Sequence, residues 1–166
     1  MANPRSIASI AGHPIHPMLI PFPIAFFVAT LLCDIAYVRS GNLSWATASM
    51  WLGAGVAMAL LAAVAGLIDV LGDQRIRRLY DVWLHAGGNI LLVLIQAYSL
   101  YARETGGPNA ILPTGLVLSA IAVLLMGFTG WMGWKMVYCD HVGVADESGP
   151  TSYPESRYPE SRRPVP

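Results

Sequence analysis

The four histidines of this sequence lie near the ends of apolar segments, where imidazoles can ligate a metal or relay protons. His13 and His16 belong to the motif HPIHP, His85 follows Asp81 by four residues, and His141 comes shortly after the last apolar segment. Neutral imidazole is the commonest protein ligand for metals, and it also binds haem iron. The pattern therefore predicts a cofactor site built from these histidines.

The polar residues that open the third apolar segment are spaced for one helix face. Asp81, His85 and Asn89 follow each other at intervals of four, and Gln96 continues the stripe. Asp81 is expected to hold one ring nitrogen of His85 and leave the other for a ligand. The alternative is structural, because buried polar side chains usually find partners on neighbouring helices.

Two further residues are assigned to the same site. Asp69, at the end of the second apolar segment, is expected to support the ligands together with Asp81, and Tyr138 is expected to flank a flat ring. Haem b, bound between His16 and His85, is the leading candidate, and zinc or another divalent metal is the second. A haem would be non-covalent, because the sequence has no Cys-x-x-Cys-His motif.

The HPIHP motif also predicts a local backbone shape. Residues that precede proline favour extended conformations, so His13 and His16 are expected in a stiff, extended entry. Pro21 and Pro23 are then expected to kink the first helix. The alternative is an ordinary helix start with Pro17 in its first turn and two incidental histidines.

The composition predicts the elements that carry these residues. Among 166 residues, 55% are hydrophobic and 12% are charged, whereas soluble domains carry about 25% charged residues. Four apolar segments, at about 18–38, 50–71, 84–102 and 111–136, are each long enough to span a bilayer. We therefore predict an all-α, four-helix integral membrane bundle over residues 18–145, preceded by an N-terminal segment, 1–17.

The C-terminal tail, 146–166, differs from the rest of the chain. It contains the repeat YPESR twice and is rich in proline and charge, so we expect it to be disordered. A docking peptide for a soluble partner is the alternative. The formal net charge of the chain is zero, which argues against a nucleic-acid-binding protein.

The distribution of basic residues predicts an orientation. Four crossings place both termini on one side, which also carries most of the Lys and Arg residues near the membrane: Arg5, Arg75, Arg77, Arg78 and Lys135. Only Arg39 and Arg103 lie on the other side. The positive-inside rule then places both termini in the cytoplasm.

The two sides of the bilayer also constrain individual residues. Asp34 is the lone acid near the far side, and we expect Arg39 or Arg103 to pair with it. Cys33 and Cys139 are predicted on opposite surfaces, so an intrachain disulfide is not expected.

Small residues predict where helices approach each other closely. Ala62 and Gly66 form a ridge on the second segment, and Gly127, Gly130 and Gly133 recur on the fourth. Such rows favour close helix packing in lipid.

Four motifs, found in the order HPIHP, AGLIDVLG, LHAGGN and GFTGWMGWKMVYCDHVGV, resemble the bacterial membrane family known as domain of unknown function 2231. The resemblance covers about residues 10–145 and departs from the family pattern at Val142, which follows His141 where a glycine is expected. It implies a bacterial inner-membrane protein. Some family members are fused to Rieske-type iron–sulfur domains, which implies a redox context.

Three functions are consistent with these patterns. The first is cofactor-dependent electron transfer with a redox partner protein, or within a homo-oligomer, in the lipid bilayer. The second is a non-enzymatic membrane scaffold or subunit whose His and Asp residues are structural. The third is a small proton or ion conductor that uses His and Asp as relays. An enzyme is not predicted, because no trio resembles a nucleophile, a base and an orienting group.

Overall fold

A computed structural model describes residues 3–144 of the chain, and the predicted tail at 146–166 lies outside the described residues. The chain begins with a small antiparallel hairpin of β1 (Ser9–Ile10) and β2 (His13–Pro14). Its two turn residues, Ala11 and Gly12, have positive φ angles of 50° and 81°, which is the geometry of a tight hairpin turn.

The rest of the described chain is helical. The helices are α1 (Ile15–Leu19), α2 (Pro21–Ser40), α3 (Leu43–Gly53), α4 (Gly55–Gly72), α5 (Gln74–Arg77), α6 (Tyr80–Gly106) and α7 (Leu116–Tyr138). Between α6 and α7, a 3-10 turn at Gly107–Ala110 is followed by a π-type turn at Ile111–Gly115. Leu112 interrupts that turn with extended angles, φ −111° and ψ 127°.

Three helical stretches of the described chain are long and apolar enough to cross a membrane: Ile15–Ser40, Leu43–Gly72 and Tyr80–Tyr138. Large apolar side chains on their outer faces are open to the surroundings, among them Leu124, which is 76% exposed. Apolar side chains of this kind suit lipid. The prediction of a helical membrane protein is therefore confirmed.

The start of the first apolar stretch differs from the expected extended entry. His13 is extended, but the helix begins at Ile15, so His16 is helical. Pro17 is tolerated there because the first N–H groups of a helix have no intrahelical partner in any case. Ile20 has helical angles, φ −53° and ψ −38°, and it alone separates α1 from α2.

The centre of the bundle is apolar, and α6 and α7 meet there closely. Phe27, Leu92 and Ala122, from α2, α6 and α7, form its buried cluster. A Cβ atom placed on Gly88 of α6 would lie only 2.5 Å from Thr129 Cγ2 of α7. The missing side chain of Gly88 therefore allows the two helices to touch.

The glycine row on α7 packs differently from the prediction. Within the described chain, a Cβ placed on Gly127 or Gly130 would meet no atom within 4 Å, whereas one on Gly133 would lie 3.4 Å from His85 Cε1. The prediction of one packing row was wrong, because positions three apart on an α-helix are rotated by about 60° from each other. Only one of the three glycines faces a neighbouring helix.

We expect Gly88→Val to destabilise the protein by about 1–3 kcal/mol, because the added atoms must displace Thr129 or separate α6 from α7. Denaturation by SDS in mixed micelles would measure the change. Gly87→Val is the matched control, since a Cβ at Gly87 meets nothing within 4 Å. Equal losses in both variants would contradict the close approach at Gly88.

Candidate functional site

The first imidazole of the candidate site is that of His16, on α1. Its Nδ1 atom lies 2.7 Å from the carbonyl oxygen of Ala62 on α4. Since a carbonyl can only accept, Nδ1 must carry the proton and donate it, which leaves the lone pair of the neutral ring on Nε2. Gly66 makes room for the ring, because a Cβ there would lie 3.0 Å from His16 Nδ1. The predicted small-residue ridge of α4 therefore forms the socket of His16.

The second imidazole, that of His85 on α6, is held in the same way. Its Nδ1 lies 2.8 Å from the carbonyl oxygen of Thr129 on α7 and donates a hydrogen bond to it. Gly133, one helical turn further along α7, lies against the ring. Each ring thus has its tautomer fixed by a carbonyl from a different helix, with Nε2 as the atom able to accept a proton or a metal.

The two rings are in direct contact. Their centroids are 6.2 Å apart and their planes are nearly perpendicular, at 82°. Both residues are half-buried. The pair is positioned jointly by α1, α4, α6 and α7. Two imidazoles that are separated by 69 residues in the sequence therefore form one site, which we call the histidine pair.

The residues predicted to support the ligands have other partners. Asp81 forms an ion pair with Lys135 of α7 at 2.6 Å, and its predicted bond to the His85 ring is absent from the described contacts, because that ring has turned to Thr129. The ammonium group of Lys135 is a stronger partner for a carboxylate than a neutral imidazole. The Nδ2 atom of Asn89 donates to the carbonyl oxygen of His85, 2.8 Å away.

Asp69 anchors the N-terminal segment instead of a histidine ligand. Its carboxylate accepts hydrogen bonds from the backbone N–H groups of Ile7 and Ala8, both at 2.7 Å, and from Ser6 Oγ at 2.9 Å. We call residues 3–14 the N-terminal strap. The strap crosses the end of α4 and leads into α1, which carries His16.

A second acid reinforces the start of the strap. Asp73 accepts from the backbone N–H of Arg5 at 3.2 Å and pairs with Arg75 at 2.7 Å. The hydrogen bonds from Arg75 hold the pKa of the Asp73 carboxyl well below its usual range. Because the pKa is lowered on folding, the contribution of Asp73 to stability is present at neutral pH and is lost on acidification.

The remaining candidate residues are exposed. His13 lies in the hairpin and His141 follows α7, and no hydrogen bond or ring contact within residues 3–144 joins either of them to the histidine pair. Tyr138 is 67% exposed and lies against Trp134, with ring centroids 5.6 Å apart. Within the same residues, no group of three or more His, Cys, Asp or Glu side chains could hold a metal ion.

A buried ion pair lies at the opposite end of the bundle. The Arg103 guanidinium binds both carboxylate oxygens of Asp34, at 2.7 and 2.8 Å, and the two side chains are 2% and 0% exposed. This confirms the prediction of a basic partner and selects Arg103 over Arg39. Cys33 and Cys139 are both free thiols, as expected.

Three serines and a carbonyl complete the environment of this pair. Ser49 and Ser119 each donate to Asp34 and accept from Arg103. Ser99 accepts from Arg103 Nε, and the carbonyl oxygen of Gly115 lies 3.2 Å from Arg103 Nη2, whose two N–H groups it shares with Asp34 and Ser119. We call the set Asp34, Arg103 and their four partners the polar clamp. The sequence analysis missed the serines, because nothing in the apolar pattern distinguishes a serine that faces a charge from one that faces lipid.

The three long apolar helical stretches bury their polar side chains in contacts with one another. This arrangement places the chain in the class of helical membrane proteins. The family model described as "Predicted membrane protein (DUF2231)" matches residues 12–146, and the chain belongs to that family. The resemblance inferred from the four motifs is thereby confirmed. The searches of curated proteins and of solved structures returned no match.

Proposed function

We propose that the chain crosses the membrane four times, with α6 and α7 as two antiparallel crossings. As one straight helix, the 59 residues of Tyr80–Tyr138 would be about 90 Å long, against a hydrocarbon core of about 30 Å. The close approach of Gly88 to Thr129 and the Asp81–Lys135 ion pair both require α7 to fold back along α6. Four crossings and the basic residues near the histidine pair support a bacterial inner-membrane protein with cytoplasmic termini.

We propose further that the histidine pair binds one transition metal, as the iron of haem b or as a divalent ion such as zinc. The observation that carries this proposal is the pair of Nδ1–H···O=C bonds, which leave both Nε2 lone pairs for a ligand. Metal-bound histidines commonly donate their other ring nitrogen to a carbonyl or carboxylate, and this fixes the ring and raises its basicity.

The spacing of the rings is compatible with one shared metal. Two imidazole nitrogens that shared one metal ion would each lie about 2.0–2.1 Å from it, and so at most about 4 Å from each other. Ring centres lie further apart than the bound nitrogens, and the observed centroid distance is 6.2 Å. The distance between the ring centres is therefore in the range that one shared metal ion would require.

The identity of the ligands suggests electron transfer. If the pair held a haem iron, His16 and His85 would be its protein ligands and the haem would supply one-electron chemistry. The surrounding helices would set the potential through burial and through the hydrogen bonds on Nδ1. The partners under this proposal are a redox protein or a second copy of the chain, in the same membrane.

The test is the absorption spectrum and metal content of the full chain, purified in detergent after expression with added haem precursor and zinc. A Soret band that shifts on reduction with dithionite identifies haem, and stoichiometric metal without that band identifies a divalent ion. His16→Ala and His85→Ala should each abolish binding, whereas the exposed His13→Ala and His141→Ala should retain it. A colourless, metal-free protein, or undiminished binding in either pair variant, would overturn the proposal.

A structural role is the second candidate, and the partners of the acids favour it. Asp34, Asp69 and Asp81 each bind groups within the protein, as expected of a scaffold or subunit. On this reading, the loss of either imidazole lowers stability and changes no spectrum.

Proton or ion conduction is a third candidate, favoured by the interior of α6. Gln96 is 1% exposed, and its Nε2 atom has no hydrogen-bond partner in the described chain. An unpaired buried amide is a typical place for an internal water molecule. Proton flux into liposomes that contain the protein, and its reduction by Gln96→Leu, would support this candidate.

A further inference from the structure

Two arginines at the end of α5 have no ionic partner in the part of the chain that the structure describes. Arg77 and Arg78 are both exposed, and the described ion pairs leave them out. The neighbouring acids are already engaged: Asp73 with Arg75, and Asp81 with Lys135. This surface therefore carries positive charge that the described protein does not neutralise.

The fold fixes where this charge lies relative to the membrane. The second apolar stretch ends at Gly72 and the third begins at Tyr80, so α5 sits between the ends of two membrane-spanning stretches. Ile76 is 2% exposed and anchors α5 to the bundle. The guanidinium groups are thus held at the level of the lipid headgroups.

Aromatic side chains flank the two arginines. Trp83 Nε1 donates to the carbonyl oxygen of Arg77 at 2.9 Å, which fixes the indole beside α5. The Trp83 and Tyr80 rings are 55% and 74% exposed. Rings with an apolar body and a polar edge are typical of the headgroup region of a bilayer.

We propose that Arg77 and Arg78 bind the phosphate headgroup of an anionic phospholipid. A guanidinium group presents paired N–H donors that match phosphate oxygens. Basic residues near an anionic membrane surface gain about 1 kcal/mol each. At the other end of the bundle, Arg39 is an exposed single cation, and Arg103 is paired with Asp34. Charge complementarity therefore favours anionic lipid at the α5 end. This inference does not depend on metal binding at the histidine pair.

Native mass spectrometry of the full chain in detergent can test the site, with phosphatidylglycerol and phosphatidylcholine as probes. We expect phosphatidylglycerol to bind more tightly. The double variant Arg77→Gln/Arg78→Gln should weaken its binding about thirtyfold, the factor that corresponds to about 1 kcal/mol for each arginine. Arg39→Gln is the control at the opposite end and should leave binding unchanged.

Further measurements distinguish a lipid headgroup from free phosphate as the ligand, and they define the results that would contradict the proposal. Millimolar inorganic phosphate should compete weakly, because it lacks acyl chains that lie along the apolar helices. Arg77→Lys/Arg78→Lys should retain part of the preference, since the charge remains and the paired donors are lost. Equal binding of the two lipids, or equal losses in the double variant and in Arg39→Gln, would overturn the proposal. Displacement of the lipid by phosphate alone would assign the site to the free anion.

Discussion

Replacing Asp34 with asparagine is expected to destabilise the protein by about 3–5 kcal/mol, the usual cost of removing one member of a buried ion pair. The guanidinium of Arg103 would remain 2% exposed without its counter-charge. The neighbouring serines can accept hydrogen bonds but cannot neutralise a cation. The free energy of unfolding, measured by SDS titration in mixed micelles, is the direct readout.

A matched set of variants tests whether the charge pair itself is responsible. Arg39→Gln removes an exposed cation near the same end and should leave stability within about 0.5 kcal/mol of the original. The apolar double variant Asp34→Leu/Arg103→Met should recover most of the loss, because it leaves no unpaired charge behind. A loss in Asp34→Asn no larger than that in Arg39→Gln would contradict the polar clamp.

Replacing Asp69 with alanine is expected to release the N-terminal strap. Three donors lose their acceptor: the backbone N–H groups of Ile7 and Ala8, and Ser6 Oγ. Hydrogen bonds to a charged group contribute about 1.5–3 kcal/mol each, so protection of these two amides should fall by more than about tenfold. Hydrogen–deuterium exchange of the peptide that covers residues 3–14 would detect it.

Two further variants test how strongly hydrogen exchange in the strap depends on individual side chains. Ser6→Ala removes one donor and should produce a smaller increase in exchange than Asp69→Ala. His13→Ala changes an exposed hairpin side chain that does not contact Asp69, and it should leave exchange at Ile7 and Ala8 unchanged. Unaltered exchange in Asp69→Ala would show that the strap is held by other contacts.

The sequence predicted those features that depend on one segment or on charge alone. Apolar segments of sufficient length predicted the membrane helices, and a lone acid in an apolar segment predicted that Asp34 would need a basic partner. The pairing of His16 with His85 followed from their placement at the same end of the bundle. The sequence could not decide between Arg103 and Arg39 as the partner of Asp34. That decision depends on how α6 is rotated about its own axis, which the sequence does not specify.

Side-chain partners between helices were harder to predict. The spacing of Asp81 and His85 correctly describes one helix face, but each side chain found a better partner on α7: Lys135 for the acid and the Thr129 carbonyl for the imidazole. The role of Asp69 in holding the N-terminal strap was not predicted, for a similar reason. Its partners are mostly backbone N–H groups of the strap, which every residue except proline carries, so no pattern of residue types reveals them.

The polar clamp has a consequence for the order in which the chain is assembled. Asp34 and Arg103 are 69 positions apart, so ribosomal synthesis delivers the acid to the membrane long before its base. An unpaired charge inside a membrane helix is unfavourable, by about 2.5–3.5 kcal/mol at the helix centre and by less toward an end, where Asp34 lies. In the partly synthesised chain, Asp34 is therefore unpaired. It gains its counter-charge only when α6, which carries Arg103, enters the membrane. A truncated chain that ends before Arg103 would leave Asp34 without this basic partner.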